Sequence, residues 1–308
     1  EEQTINTRIL NIIKDKSEES SESLTAMINK SSTSSSTSST SDSNVAYMNS
    51  NKNKHNKSRY RSKRISKKRI IAITQARTGS TRLPRKVLLT INGQTLLQIH
   101  LDRVSKSKTI DEVIVATTDK ESDEPIMKIA QELGYKCYRG SENDVLDRYY
   151  QAAKEANAEV VVRVTSDCPL VDPDLIDTIV NAHLVHGTDF TSNIVKRTFP
   201  DGMDVEVFSF KALEKAWKEA SDIADREHVT YYLWKNSDLM GKDIFTAYNV
   251  MTDNGNDYSA IRLTLDYQED FEVFEKTITQ FGLSKTWLDY VNFLEANPYI
   301  KAINSNKG

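Results

Sequence analysis

The sequence predicts an α/β domain, a mostly parallel sheet with helices on both faces and a small inserted lobe, preceded by a tail that cannot build a core. Three observations predict it. Nearly continuous apolar runs of strand length recur at Arg69–Thr74, Glu112–Thr117 and Glu159–Val164, as expected of strands buried on both faces. The segments between them place apolar residues at helical spacing. Such βαβ alternation builds a parallel sheet.

Composition divides the chain before any element is assigned. It has 308 residues, with 41 Lys and Arg against 44 Asp and Glu, and a formal net charge of −3. That charge averages unlike parts. Every residue from Ser31 to Ser43 is Ser or Thr except Asp42, and the run from Asn51 to Arg69 is basic with no acid. Residues 1–68 therefore read as a disordered Ser/Thr-rich and basic tail, and 69–308 as the domain. The basic run suits a solvated linker, or binding to nucleic acid or an anionic surface. The acids Glu1, Glu2, Glu18, Glu19 and Glu22 argue against a transit peptide. Two cysteines, Cys137 and Cys168, exclude a disulfide scaffold, and no apolar run has the ~18 residues of a membrane helix.

After the first strand, Leu96, Leu97, Ile99, Leu101 and Val104 give Thr95–Ser107 a helical face. A helix over Ile126–Leu133 stops near Gly134, Tyr135–Tyr138 is a weaker strand, and Asp144–Asn157 is helical. Asp172-Pro173-Asp174 opens another helix, with Pro in its first turn and acids facing its dipole. Beyond Gly187 the order mixes. Gly202–Phe210 alternates as a strand, Lys211–Ala220 and Arg226–Asn236 read as helices, and Ser259–Leu265 as a further strand. Helices over Glu269–Phe281 and Lys285–Glu295 close the domain.

Ligands of open α/β sheets bind at the carboxyl ends of the strands. The segment leaving the first strand, Gln75 to Lys86, carries Arg77, Arg82, Arg85 and Lys86 with Gly79 and hydroxyls at Thr78, Ser80 and Thr81. Free amides and cations of this kind cradle phosphates, although the spacing is neither of the two common phosphate loops. A surface loop of solvated charge is the other reading. Asp167 follows the third strong strand, and Asp266 follows the strand ending at Leu265. Two acids opposite a cationic loop suit Mg²⁺ on a nucleoside triphosphate, whereas Asp172 reads as a helix cap.

Several stretches together are recognisable. They are Ala76–Leu88, Val115–Asp119, Arg139–Tyr149, Arg163–Leu170, Pro200–Phe208, Arg226–Thr230 and Leu265–Phe271. In order and spacing they resemble the cytidylyltransferases that make CMP-activated sugars, the acylneuraminate type, nearest in pattern to the branch named for spore-coat polysaccharide biosynthesis. The resemblance spans residue 70 to about 281. It implies a three-layer nucleotidyltransferase fold, Rossmann-like and shared with nucleotide-diphospho-sugar transferases, in a cytoplasmic enzyme. It also implies CTP as donor, Mg²⁺ as cofactor, and transfer of CMP to an acidic sugar or phosphorylated acceptor with loss of pyrophosphate.

By the same resemblance, Arg77, Gly79, Ser80, Arg82 and Lys86 contact the triphosphate, with Arg77, Lys86 and Asp167 catalytic. Asp167 and Asp266 hold the metal. Thr117, Asp119 and Ser141 lie where the family holds base and ribose. Asp201, Asp204, Glu206, Arg226 and His228 face the acceptor and the lobe, where relatives form homodimers. Three departures stand out: Arg85 and Ser166 where glycines are usual, and Tyr267-Gln268 for Thr-Pro. Arg85 disfavours positive φ, which predicts a locally reshaped loop. His228 also reads as a helix cap, while His183, His186, Cys168 and Trp217 read as packing residues. Two other functions remain compatible: a glycosyltransferase of the same fold, and a nucleic-acid or surface binder acting through the basic tail.

Overall fold

Alternation within the buried runs sets the layers. The computed structural model describes residues 67–307. The expected disordered tail lies outside the described residues, except Lys67 and Lys68. In β1 (Ile70–Gln75), Ile70 and Ala72 join the apolar cluster on one face of the sheet, Ile71 and Ile73 the cluster on the other. A hairpin of β2 (Thr90–Ile91) and β3 (Gln94–Thr95) leads into α1 (Leu96–Val104), whose first turn is capped by the Thr95 hydroxyl. Then follow β4 (Glu112–Thr118), α2 (Glu124–Glu132), β5 (Lys136–Gly140), α3 (Val145–Glu155) and β6 (Val160–Thr165). The helix opened by Asp172 is α4 (Pro173–His186), its first amides received by the Asp172 carboxylate and its end closed by left-handed Gly187.

The second half supplies β7 (Phe190–Ser192), β8 (Glu206–Ser209), α5 (Phe210–Glu219), α6 (Ile223–Glu227), α7 (Tyr231–Lys235) and β9 (Ala247–Asn249). The closing helices are α8 (Gln268–Phe281), α9 (Trp287–Ala296) and α10 (Pro298–Lys301). The sheet runs β5-β4-β1-β6-β8-β7-β9. β5, β4, β1 and β6 are mutually parallel, β8 is antiparallel to β6 and β7, and β9 is parallel to β7. Side chains of α1, α2, α4, α8 and α9 cover one face and those of α3, α5 and α7 the other. The result is the expected three-layer α/β arrangement.

Two expected elements are corrected. Residues 259–265 do not form a strand: 259–261 turn and bend, and Arg262 makes one bridge to Asp201. Ile261, Leu263 and Leu265 are buried because this segment is clamped under the 200–203 turn, not because it pairs along a ladder. The helix expected over Arg226–Asn236 is broken into α6 and α7, with Val229 between them at φ 52. A β-branched residue resists that conformation, so the tertiary contacts that bury Val229 completely must impose it.

Candidate active site

The parallel strands deliver their loops to one edge of the sheet. The β6 loop carries Asp167, and its carbonyl accepts the Leu265 amide at 2.8 Å and the Thr264 hydroxyl at 3.3 Å. These bonds tie the segment bearing Asp266 to the residue it must face. Lys86, in a 3-10 turn at residues 86–88, fills the gap. Its ammonium donates to Asp167 Oδ2 at 3.2 Å, to Asp266 Oδ1 at 2.9 Å and to the Leu265 carbonyl at 2.7 Å. Burial alone would lower the Lys86 pKa, but Asp167 and Asp266 outweigh it and the net shift is upward. Burial likewise opposes the charge on Asp167, and Lys86 with the Thr165 hydroxyl overcomes it, holding that carboxyl below the usual range.

Arg82 also reaches Asp266, at 3.1 Å, and its guanidinium lies 4.9 Å from the centre of the Tyr267 ring. Arg262 extends the network. It meets Asp266 at 3.2 Å, Asp201 at 2.9 Å, and buried Asp270 through two nitrogens at 2.9 and 3.0 Å. Asp270 in turn accepts the amides of Asp266 and Tyr267, which fixes the start of α8 and the direction of Asp266. Burial and the neighbouring Asp204 push the Asp201 carboxyl up to about 6, against the pull of Arg197 and Arg262. Asp204 itself is held by both terminal nitrogens of Arg197, at 2.7 and 2.9 Å.

The departures from the family pattern are absorbed without loss of the frame. Arg85 adopts φ 58, ψ 25, the left-handed conformation that its side chain disfavours. The Ser166 hydroxyl donates to the Gln75 carbonyl at 2.7 Å, and its φ is not positive. Gln268 opens α8, where proline is favoured but not required.

The other expected residues divide. Gly79, Asp119 and Ser141 are exposed near the β4–β5 end of the same edge. The Asp119 amide donates to Gly140, and the Ser141 hydroxyl accepts the Asp144 amide. Arg77 is exposed, and the Ser80 hydroxyl accepts the Leu83 amide at 3.4 Å. The Thr117 side chain is fully buried with its hydroxyl unpartnered. Glu206 lies behind the edge, 2% exposed, paired with Arg163 and accepting the Thr230 hydroxyl. Arg226 grips Asp144 through two nitrogens and donates to the Trp217 and Ala220 carbonyls, joining the start of α3 to the end of α5. His228 terminates α6 and sits edge-on to Tyr231.

The structure thus gathers Lys86, Arg82, Asp167 and Asp266, with Asp201 and Asp204 beyond Arg262. It commits Glu206 and Arg226 to structural pairs. Sequence reasoning missed Arg262, Asp270 and Asp123. Asp123 is buried and accepts from the amide and hydroxyl of Thr78 at 2.7 and 2.5 Å, as well as from the Thr118 hydroxyl, pinning the cationic loop to β4. The signal available for Arg262 was its four-residue spacing from Asp266.

Comparison with known proteins gives this arrangement its context. A protein-family model described as Cytidylyltransferase matches residues 71–293. An uncharacterized protein of Methanocaldococcus jannaschii is 42% identical over 77% of this chain and 95% of its own length. The spore coat polysaccharide biosynthesis protein SpsF of Bacillus subtilis is 32% identical over 69% of this chain and 88% of its own. A solved cytidylyltransferase from Leptospira borgpetersenii superposes with a TM-score of 0.69 at 34% identity, covering 76% of this chain and 96% of that one. The chain belongs to the cytidylyltransferase family, and is a CTP-dependent nucleotidyltransferase of the α/β nucleotide-diphospho-sugar transferase fold.

Proposed function

We propose that this enzyme transfers CMP from CTP to an acidic sugar or a phosphorylated small molecule, releasing pyrophosphate, in the making of activated sugars for surface polysaccharide. The observation that carries the reading is the reception of one ammonium by both Asp167 and Asp266 beside the cationic loop. Three oxygens within 3.2 Å of a single positive charge are a donor set suited to a hard divalent cation. Among the described residues no cluster of three or more metal-ligating side chains occurs, so Asp167 and Asp266 would hold Mg²⁺ together with nucleotide phosphates. When bound, the ion supplies charge neutralisation at the phosphates and acidifies the attacking group.

The chain's own residues do the rest. An acceptor oxygen bonds to the α-phosphorus as the bond to pyrophosphate breaks, and where that oxygen is a sugar hydroxyl its proton must leave. Asp201, with a pKa of about 6 and one guanidinium away from Asp266, is the carboxylate suited to take it near neutral pH. Lys86, Arg77, Arg82 and Ser80 attract the triphosphate and stabilise the departing charge. Asp204, beside Asp201, orients the acceptor; Asp119, Ser141 and Gly79 flank the nucleoside. Glu206, Arg226, His228 and Thr117 serve by holding the walls rather than touching ligand. A homodimer and a cytoplasmic setting, both implied by the resemblance, belong to this proposal. No helix among the described residues is long and apolar enough to cross a membrane.

The test is pyrophosphate release from CTP across a panel of acidic sugars and phosphorylated acceptors, with Mg²⁺ present or chelated, and the mass of the CMP adduct. Asp167→Ala should lower turnover by about 10²–10⁴. Undiminished turnover in that variant, or in chelator, defeats the proposal.

A further inference from the structure

Arg197 has no task in the reaction above. It lies between β7 and β8 in a stretch that is neither helix nor strand, and its side chain is 43% exposed. The backbone on both sides of it is nonetheless fixed. The Lys196 amide donates to the Asn249 side chain at 3.0 Å. Thr198 accepts the Tyr258 amide at its carbonyl, at 2.8 Å, and the Thr252 amide at its hydroxyl, at 3.0 Å. The guanidinium can therefore change partners without moving the chain that carries it. It also faces the site: Nη1 is 3.9 Å from Asp201, and its charge reaches Cys168, the residue after Asp167.

An acidic acceptor approaching Asp201 and Asp204 meets two carboxylates, and needs a cation among them. Among the described residues, Arg197 and Arg262 are the cations that act on Asp201. Arg262 is committed, 12% exposed and bonded to Asp201, Asp266 and Asp270 at once. Arg197 is held by Asp204, which is itself a quarter exposed. An ion pair that solvent reaches contributes little and exchanges partners at small cost. The fork that grips this carboxylate fits the carboxylate or phosphate of a ligand equally well. Resting on the acidic-acceptor reading, we propose that Asp204 is a stand-in on Arg197, and that the acid group of the acceptor displaces it. Arg197 then holds the acceptor by its charge, while Asp204, released, accepts hydroxyls of the same molecule. A neutral acceptor cannot drive the exchange. Arg197 is thus a specificity-determining residue that selects for an acid.

The test is calorimetric binding of acceptors to the full chain saturated with Mg²⁺ and α,β-methylene-CTP, whose bond to the leaving group cannot break, so that binding is read apart from chemistry. The probes are the sugar acids and sugar phosphates of the acceptor panel. Each is paired with an uncharged counterpart, the methyl ester of the carboxylate or the free alcohol of the phosphate, and the arm that responds tells which acid is read. The wild type should bind the charged member at least ~10-fold more tightly. Arg197→Met should remove that preference while leaving the affinity for the CTP analogue nearly unchanged, and Arg197→Lys should restore part of it. Asp204→Asn frees the guanidinium and should widen the preference, a gain that misfolding cannot produce. Adding Arg197→Met to Asp204→Asn should abolish the gain. Equal losses for charged and uncharged probes in Arg197→Met, or a gain that persists in the double variant, overturns the assignment. A wild type that binds no charged probe more tightly than its counterpart defeats the acidic-acceptor reading itself, whereas a preference that survives in Arg197→Met defeats the Arg197 assignment alone.

Discussion

Replacing Lys86 by Met removes the cation between Asp167 and Asp266 while keeping the bulk of its apolar stem. Three bonds are lost, at 3.2, 2.9 and 2.7 Å, two of them to carboxylates. A bond to a charged group contributes about 1.5–3 kcal/mol, and stranding a buried charge costs about 3–5 kcal/mol. The lower range applies here. Asp167 and Asp266 keep a third and a fifth of their side-chain surface in solvent, and Arg82 and Arg262 still face Asp266. The ligand-free variant should therefore lose about 2–3 kcal/mol, or roughly 5–10 °C in Tm for a domain of this size. Magnesium should then discriminate. In the wild type an entering divalent ion must displace the ammonium, whereas in the variant the oxygens are already free. Scanning calorimetry against Mg²⁺ concentration, without nucleotide, should give a larger upward shift in Tm for Lys86→Met than for the wild type. Turnover should nonetheless fall by about 10²–10⁴, because the same ammonium is needed at the phosphates. An unchanged Tm, or a Mg²⁺ response no greater than that of the wild type, would refute the idea that lysine and metal share one place.

Other outcomes follow from the same coordinates. Burial lowers both His100 and His183 to about 4 from an ordinary 6.5, so the unfolded chain takes up these protons first on acidification. Stability should be full above about pH 6.5 and erode down to about 4, by up to ~3 kcal/mol per histidine, and denaturant titrations of His100→Asn should show a flatter dependence. Asp201 acts in the opposite sense on stability, since its folded value of about 6 lies above the usual carboxylate range. As the proton acceptor it should give turnover a limb rising through about pH 6 that Asp201→Asn abolishes; an identical limb in the variant would remove Asp201 from that role. Gly202→Ala should cost at least ~2–4 kcal/mol in urea unfolding, because φ is 100 and a Cβ would sit 2.0 Å from the Leu263 carbonyl.

Much of the sheet was legible because β1, β4 and β6 are buried on both faces, and their apolar runs have no other explanation. The three-residue strands β7 and β9 left no periodic signal. The 259–265 segment imitated one, since alternate burial arises as readily from clamping as from pairing. At the site, the position of Asp167 and Asp266 after apolar runs was visible. What was not visible is which cation answers which acid. Arg226 reads as well for an acceptor as for Asp144, and Glu206 gives no hint of Arg163, because these pairings join residues dozens of positions apart and depend on the finished packing. Arg85 shows the same limit of local preference. Its backbone preference, about 1–2 kcal/mol against the left-handed region, yields to the loop's other constraints.

The bond from the Leu265 amide to the Asp167 carbonyl has a consequence for how competence is acquired. The two acids come from opposite halves of the domain, and the second is aimed only after α8 has docked and Asp270 has captured the amides of Asp266 and Tyr267. A nascent chain can therefore close its parallel strands and still be inert. Enzymatic output from this protein is then a readout of the last stage of maturation, since the helix that aims Asp266 also completes the apolar cover of one sheet face through Val273, Phe274 and Ile278.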